Sequence, residues 1–299
     1  MPSPLAPPFV LGLVAAVLYE VGRRRHMRVV VPARRAGMGW RTLAFWAGLI
    51  TLVLALDSVI DDQADRLFWV HMTQHVLLMM VVAPLFVVAA PWIPMWKGLP
   101  LNTRRGLGAA YMRSPGWRAV RAAGRRVVAP VPIWILFVID LSVWHVPALY
   151  GLTLRNQAVH DLEHLSFLVL AVLFWAQVVE SPPLRPRLSE AWRVAYVTLA
   201  ATACWLLAMV LAFAPSPLYA GYESLASRPG GISALADQQL AAGIMWGPGS
   251  IPFAIFVFLA LYRWLGGRTT GTPWQRGALQ NASADPPRRA GVGSLAPRS

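Results

Sequence analysis

The sequence predicts an all-α protein: a polytopic integral membrane bundle of about seven transmembrane helices, N-terminus outside and C-terminus cytoplasmic. Three observations carry this. Charged residues are only 13% of the 299, against 57% hydrophobic, and mean hydropathy is +0.50. A soluble domain carries about 25% charged residues, so this chain lacks the polar surface to face water. The apolar residues also run in blocks of about 20, the length that crosses a hydrocarbon core of about 30 Å at about 1.5 Å per residue. Finally, the basic residues gather in alternate gaps between those blocks.

The first block spans about 5–22. No basic region precedes it, no A-x-A cleavage site follows it, and its arginines come after it, so it reads as a retained helix rather than a signal peptide. Further spans are expected over about 41–59, 67–90, 128–147, 159–179, 192–214 and 237–265. Pro84 should bend the third, because its ring removes a backbone donor. Gly243, Gly247, Pro248, Gly249 and Pro252 should kink or partly unwind the seventh. No internal repeat stands out at this spacing. The spans form one domain over 1–266, and the Gly, Pro, Arg and Ser of 267–299 predict a disordered cytoplasmic tail.

Orientation follows from the arginines. Arg23, Arg24, Arg25, Arg28, Arg34 and Arg35 follow the first span. Lys97, Arg104, Arg105, Arg113, Arg118, Arg121, Arg125 and Arg126 follow the third. Arg185 and Arg187 follow the fifth, and Arg268, Arg276, Arg288 and Arg289 lie in the tail. In a seven-span layout all four segments share one side, which the positive-inside rule makes cytoplasmic. The opposite loops hold only Arg66, Arg155 and Arg228, beside Asp61, Asp62, Asp65 and Glu223. The net charge of +14 is thus an orientation signal rather than a nucleic-acid groove. The partner implied by composition is the lipid bilayer. Cys204, the single cysteine, lies inside an apolar block and has no partner for an internal disulfide.

On this topology five of the six histidines fall at the outer ends of spans. His71 and His75 open span three in HMTQH, His145 closes span four in VWHVP, and His160 and His164 open span five in HDLEH. His26 lies in the basic cytoplasmic loop and reads as a solvated surface residue. Each H-x-x-x-H pair puts two imidazoles on one helical face, about 6 Å apart along the axis. Two such pairs arise by chance in fewer than roughly 1 in 100 chains of this histidine content. His71 and His160, nearest the helix starts, also suit the wet interface. His75 and His164 lie a turn deeper, where an unpaired polar ring costs more. Imidazole ligates copper, zinc, iron and nickel. The chemistry of the residues therefore points to a transition-metal or haem site built from His71, His75, His145, His160 and His164.

Several neighbours are accessory candidates. Asp140 lies within span four below His145 and is placed to hydrogen-bond a ligand histidine. Asp57 and Asp237 flank the same face. Asp161 and Glu163 are expected to point to other sides of the span-five helix. Met72, Met79, Met80 and Met245 offer soft thioethers for Cu(I), against the commoner role of methionine as packing.

Several runs resemble, in order, the bacterial cytochrome c oxidase caa3-type assembly factors called CtaG. They are His71-Met72-x-Gln74-His75 with LLMMVVAP, Trp144-His145-x-Pro147, His160-x-x-Glu163-His164, Asp237-Gln238-Gln239-Leu240 and Met245-Trp246, within about residues 40–265. The basic loop at 101–127 and the tail lie outside the shared pattern, and Asp140 has no counterpart carried over from it. The resemblance implies a seven-helix protein of the bacterial cytoplasmic membrane that builds haem–copper oxidases. It further implies copper as cofactor or cargo, with an oxidase subunit and a copper donor protein as partners. No nucleophile elbow and no H-E-x-x-H occurs, so a non-enzyme is expected. Two other functions fit the histidines alone. One is a haem-binding electron carrier with two axial histidines; the other is a membrane di-metal oxidase or hydroxylase.

Overall fold

Every one of the seven apolar blocks folds as helix in the computed structural model, which describes residues 7–28, 38–225 and 227–269. The chain begins with α1 (Pro7–Met27), α2 (Gly39–Leu56) and the short α3 (Val59–Ala64). The third block is one continuous rod made of α4 (Phe68–Val76), a π-helical stretch Leu77–Val82 and α5 (Ala83–Ala89). After it come α6 (Trp92–Gly98), α7 (Leu101–Arg113) and α8 (Pro115–Val127). The fourth block is α9 (Pro130–Trp144), which leads through α10 (Pro147–Thr153) into α11 (Gln157–Trp175). The sixth is α12 (Glu190–Phe213), joined by α13 (Ala220–Glu223) to α14 (Ala234–Trp246) and α15 (Ile251–Thr269).

Five of these units are long and apolar enough to cross a bilayer: α2, Phe68–Ala89, α11, α12 and Ala234–Gly266. A sixth arises if α8 and α9, which meet at 73°, count as one broken span. The expected seventh, in α1, begins among residues outside the described set, and its last turns carry Glu20, Arg23, Arg24 and Arg25. Bundle surfaces are apolar where lipid would lie: Leu43, Phe213 and Phe258 are at least 70% exposed.

Pro84 does not break the third span, which stays helical from Phe68 to Ala89. The turns before it widen to π-helix over Leu77–Val82, which relieves the clash with the preceding carbonyls and lets the rod run on to Ala89. Trp175 donates from Nε1 to the Met79 carbonyl in this stretch (2.9 Å). The seventh block does break. Gly247 (φ −74°, ψ −85°) ends α14, and the 3-10 turn Pro248–Ser250 restarts the chain as α15. That helix runs to Thr269, past the predicted boundary at 266; the tail from 270, with Arg276, Arg288 and Arg289, lies outside the described residues, as do Arg34 and Arg35.

Of four buried clusters among the described residues, three join the long helices, and the fourth is the small group Ala64, Leu67 and Val70. Phe137, Phe167, Phe174, Trp175 and Phe253 join α9, α11 and α15. Phe68, Tyr150, Tyr219, Tyr222 and Met245 close the end where the histidines lie. Tyr19 stacks on Phe45 to tie α1 to α2. Beside that last cluster α1 crosses α6 at backbone contact, through Gly22 and Gly98.

The basic loop after span three is not irregular. It forms α7 and α8, which bury no residue of their own. Along α8, Arg118, Arg121 and Arg125 share one face, while Val120 and Val127 lie on the other side.

Candidate metal centre

Two helices carry the centre, and each starts on a cap that fixes its first turn. For α4 the cap comes from another helix: Asp237 of α14 accepts from the Phe68 and Trp69 amides (2.9 and 3.0 Å). A fully buried carboxylate thus satisfies two of the free donors at the positive end of the helix bearing His71 and His75. For α11, Asn156 accepts from the Ala158 and Val159 amides.

With both helices set, His71, His75, Glu163 and His164 converge. One ligand atom from each lies within 4.8 Å of all the others, and every side chain is buried. His71 Nε2 stands 3.6 Å from Glu163 Oε2, and His75 Nε2 stands 3.7 Å from Glu163 Oε1. These separations are too long for hydrogen bonds. They are close to the edge of a tetrahedron of ligands, about 3.4 Å for bonds of about 2.0–2.1 Å. Among the described residues no hydrogen-bond partner reaches His71 Nε2, either nitrogen of His75, His164 Nε2 or either oxygen of Glu163. Buried polar atoms left unpaired cost about 1–3 kcal/mol each, so a cluster of orphans facing one point is what a cation would satisfy. Three imidazoles and a carboxylate suit a borderline divalent ion such as Cu(II) or Zn(II).

Glu163 is the residue that the sequence reading misplaced. Its carboxylate is fully buried among the histidines rather than turned aside. The signal was present: Glu163 is i+3 from His160 and therefore close to the same face. Asp161 does point away, exposed and accepting from Gln157 Nε2. His160 packs on His71 and His164, with ring centroids 5.0 and 4.3 Å apart, but is not one of the four that converge. His145 is further off, 6.3 Å from His75 by ring centroid.

The accessory carboxylates separate too. Asp140 accepts from Trp144 Nε1 (3.0 Å) and not from a ligand histidine, because its helical position turns it toward i+4. Asp57 is exposed at the end of α2. Asp237 acts as the cap described above. Met72 and Met245 are buried, and with Met79 and Met80 they line a cavity of about 40 Å³ that also touches His75 and His145. His26 is remote from all of these. It is half-buried rather than solvated, its Nδ1 accepting from Lys97 Nζ (2.7 Å).

Proton bookkeeping fixes the tautomer of His145 and narrows that of His71. Tyr222 donates to the Ala64 carbonyl (2.7 Å), which can only accept. Tyr150 then has two acceptors in reach, the Tyr222 oxygen (3.1 Å) and His71 Nδ1 (2.8 Å); a cation on His71 Nε2 requires the first, with His71 Nδ1 donating to Tyr150. Burial holds both phenols well above their ordinary pKa, so both keep their protons. In that arrangement His71 is protonated on Nδ1 and keeps a bare lone pair on Nε2, 3.6 Å from Glu163 Oε2. His145 follows the same logic: Nδ1 donates to the Leu141 carbonyl (2.7 Å), leaving Nε2 bare. Neither tyrosine stood out in the sequence, since both sit on short elements outside the spans.

Residues 17–266 match the family described as cytochrome c oxidase caa3 assembly factor (Caa3_CtaG). Uncharacterized proteins of Mycobacterium bovis and Mycobacterium tuberculosis are each 24% identical over 262 residues, covering 85% of this chain and 38% of theirs. One of Mycobacterium leprae is 24% identical over 243 residues, 78% of this chain and 36% of its own. The chain thus spans less than two-fifths of these curated relatives. No solved structure matches.

Proposed function

This chain belongs to the family of cytochrome c oxidase caa3 assembly factors, and on that premise we propose that it assists the building of a haem–copper oxidase by holding copper for delivery. The observation that carries the reading is the convergence of His71, His75, Glu163 and His164 with their ligand atoms unpaired. Its partners are an oxidase subunit and a copper donor protein, and its place is the bacterial cytoplasmic membrane. In the seven-span layout the arginine asymmetry would put the centre on the outer side, where exported copper would arrive.

Copper bound here supplies no bond-breaking chemistry, so the role is non-catalytic. The residues do three things. Tyr150 and Tyr222 keep the His71 proton on Nδ1, leaving Nε2 free as a ligand. Glu163 offsets the charge of the ion in a dry site. Phe167, packed edge-on to His75 at 4.7 Å, helps to exclude water. A haem reading is not favoured, because the cavity beside the histidines is about 40 Å³ and ligand pockets run to about 300–1,000 Å³.

The test is metal analysis of the detergent-purified protein after copper loading, wild type beside His75→Ala and Glu163→Ala. We expect bound copper to fall in both variants with helicity retained by circular dichroism. Unchanged stoichiometry in both would overturn the assignment.

A further inference from the structure

The cavity of about 40 Å³ next to the centre has a character of its own. Four thioethers line it, from Met72, Met79, Met80 and Met245, together with the imidazoles of His75 and His145. His145 is 93% buried by its 7% exposure, and its Nε2 has no hydrogen-bond partner. Because Nδ1 donates to the Leu141 carbonyl, that Nε2 is a lone pair with nothing to accept.

Both walls of the cavity are also places where a membrane helix departs from regular geometry. Met79 and Met80 sit on the π-helical stretch of the third span. Met245 and Gly249 flank the break in the seventh. Irregular backbone at membrane depth is tolerated where protein buries it or where it lines a cavity, and broken helices commonly carry ion sites. The volume admits one ion or one water but no organic ligand. A water needs two or more polar partners; beyond His75 and His145 the lining side chains are thioether, hydrocarbon, the Cys204 thiol and the Ser250 hydroxyl, which is already paired with Trp205 and Trp246.

We propose that this cavity is a second metal site, distinct from the His71–His75–Glu163–His164 centre, that takes a soft monovalent ion such as Cu(I) on His145 Nε2 and thioether sulfur. Thioethers select Cu(I) over harder divalent ions. His75 borders both sites, so an ion here lies one side chain from the carboxylate-bearing centre. The inference rests on the copper reading for the identity of the ion, and on the cavity alone for its softness.

The test uses the full chain in detergent, with Ag(I) as a redox-inert soft probe and Cu(I) held reduced under anaerobic conditions. X-ray absorption should detect sulfur at about 2.3 Å from the metal, the distance typical of metal–sulfur bonds. The near-isosteric double variant Met79→Leu/Met245→Leu should lose at least tenfold in Ag(I) affinity while Zn(II) binding stays within twofold. His75→Ala should weaken Zn(II). Unchanged Ag(I) affinity in the double variant, or Cu(I) bound without sulfur, would make the cavity mere packing and leave the proposed function standing. Failure of His75→Ala to weaken any divalent ion would instead sink the centre, whatever silver does. A wild type that binds neither ion overturns both.

Discussion

Tyr222 lies a residue further from the centre than Tyr150, yet its loss should weaken metal binding more. In Tyr222→Phe, the Tyr150 hydroxyl loses its acceptor and turns its proton onto His71 Nδ1, 2.8 Å away. His71 then carries its own proton on Nε2, where the metal must bind. Restoring the productive tautomer leaves the buried Tyr150 hydroxyl unpaired, which costs about 1–3 kcal/mol, or roughly 5- to 150-fold in affinity. In Tyr150→Phe, His71 Nδ1–H still finds the Tyr222 oxygen at 3.3 Å, so the loss should stay near the low end of the 10- to 100-fold typical of ligand-orienting partners. A competition titration against a chromophoric chelator at fixed pH gives both constants. Melting curves of the metal-free variants separate stability from affinity. A smaller loss in Tyr222→Phe than in Tyr150→Phe would refute the proton relay, and equal wild-type affinity in both would remove the tyrosines from the site altogether.

Three further outcomes follow from contacts outside the centre. Asp237→Ala uncovers two amides at the start of α4 and should destabilise the protein by about 1–2 kcal/mol, read as a lower Tm in detergent. Gly22→Ala drives a Cβ into the Pro94 carbonyl oxygen, so α1 and α6 must part; we expect a cost of about 1–3 kcal/mol in thermal unfolding and intact copper stoichiometry. Burial first, then the Lys97 ammonium, holds the His26 pKa below its ordinary value. Its contribution to stability is therefore fully present above the ordinary histidine range and is lost as pH falls through the depressed pKa. Lys97→Met should raise that pKa, measurable by the imidazole NMR titration.

How legible the site was depended on the kind of geometry involved. His71 with His75, and His160 with His164, could be paired from sequence because i,i+4 spacing is fixed by the helix itself. Asp140 was misassigned because nothing in its own helix reveals which neighbour its carboxylate meets, and the structure gives it Trp144. Glu163 was discounted although its spacing from His160 pointed inward, since the bare pattern offers several orientations and only packing selects one. Pro84 reads as a bend in isolation, but the sequence does not say that the turns before it widen to π-helix over Leu77–Val82 in a helix packed on α2 and α11.

The sequence by itself determined that the protein lives in lipid, that it is all helix, and that histidines cluster near the ends of three apolar blocks. Those properties are set by composition and by the repeat of a single helix, both of which are local. Only the tertiary structure decided that Glu163 joins His71, His75 and His164, and that His145 faces a methionine-lined cavity instead. Asp237 likewise acts as the cap of a helix more than 160 residues earlier. Each of these depends on the rotation and depth of one helix against another, which follow from how buried side chains fill space between them rather than from any spacing along the chain.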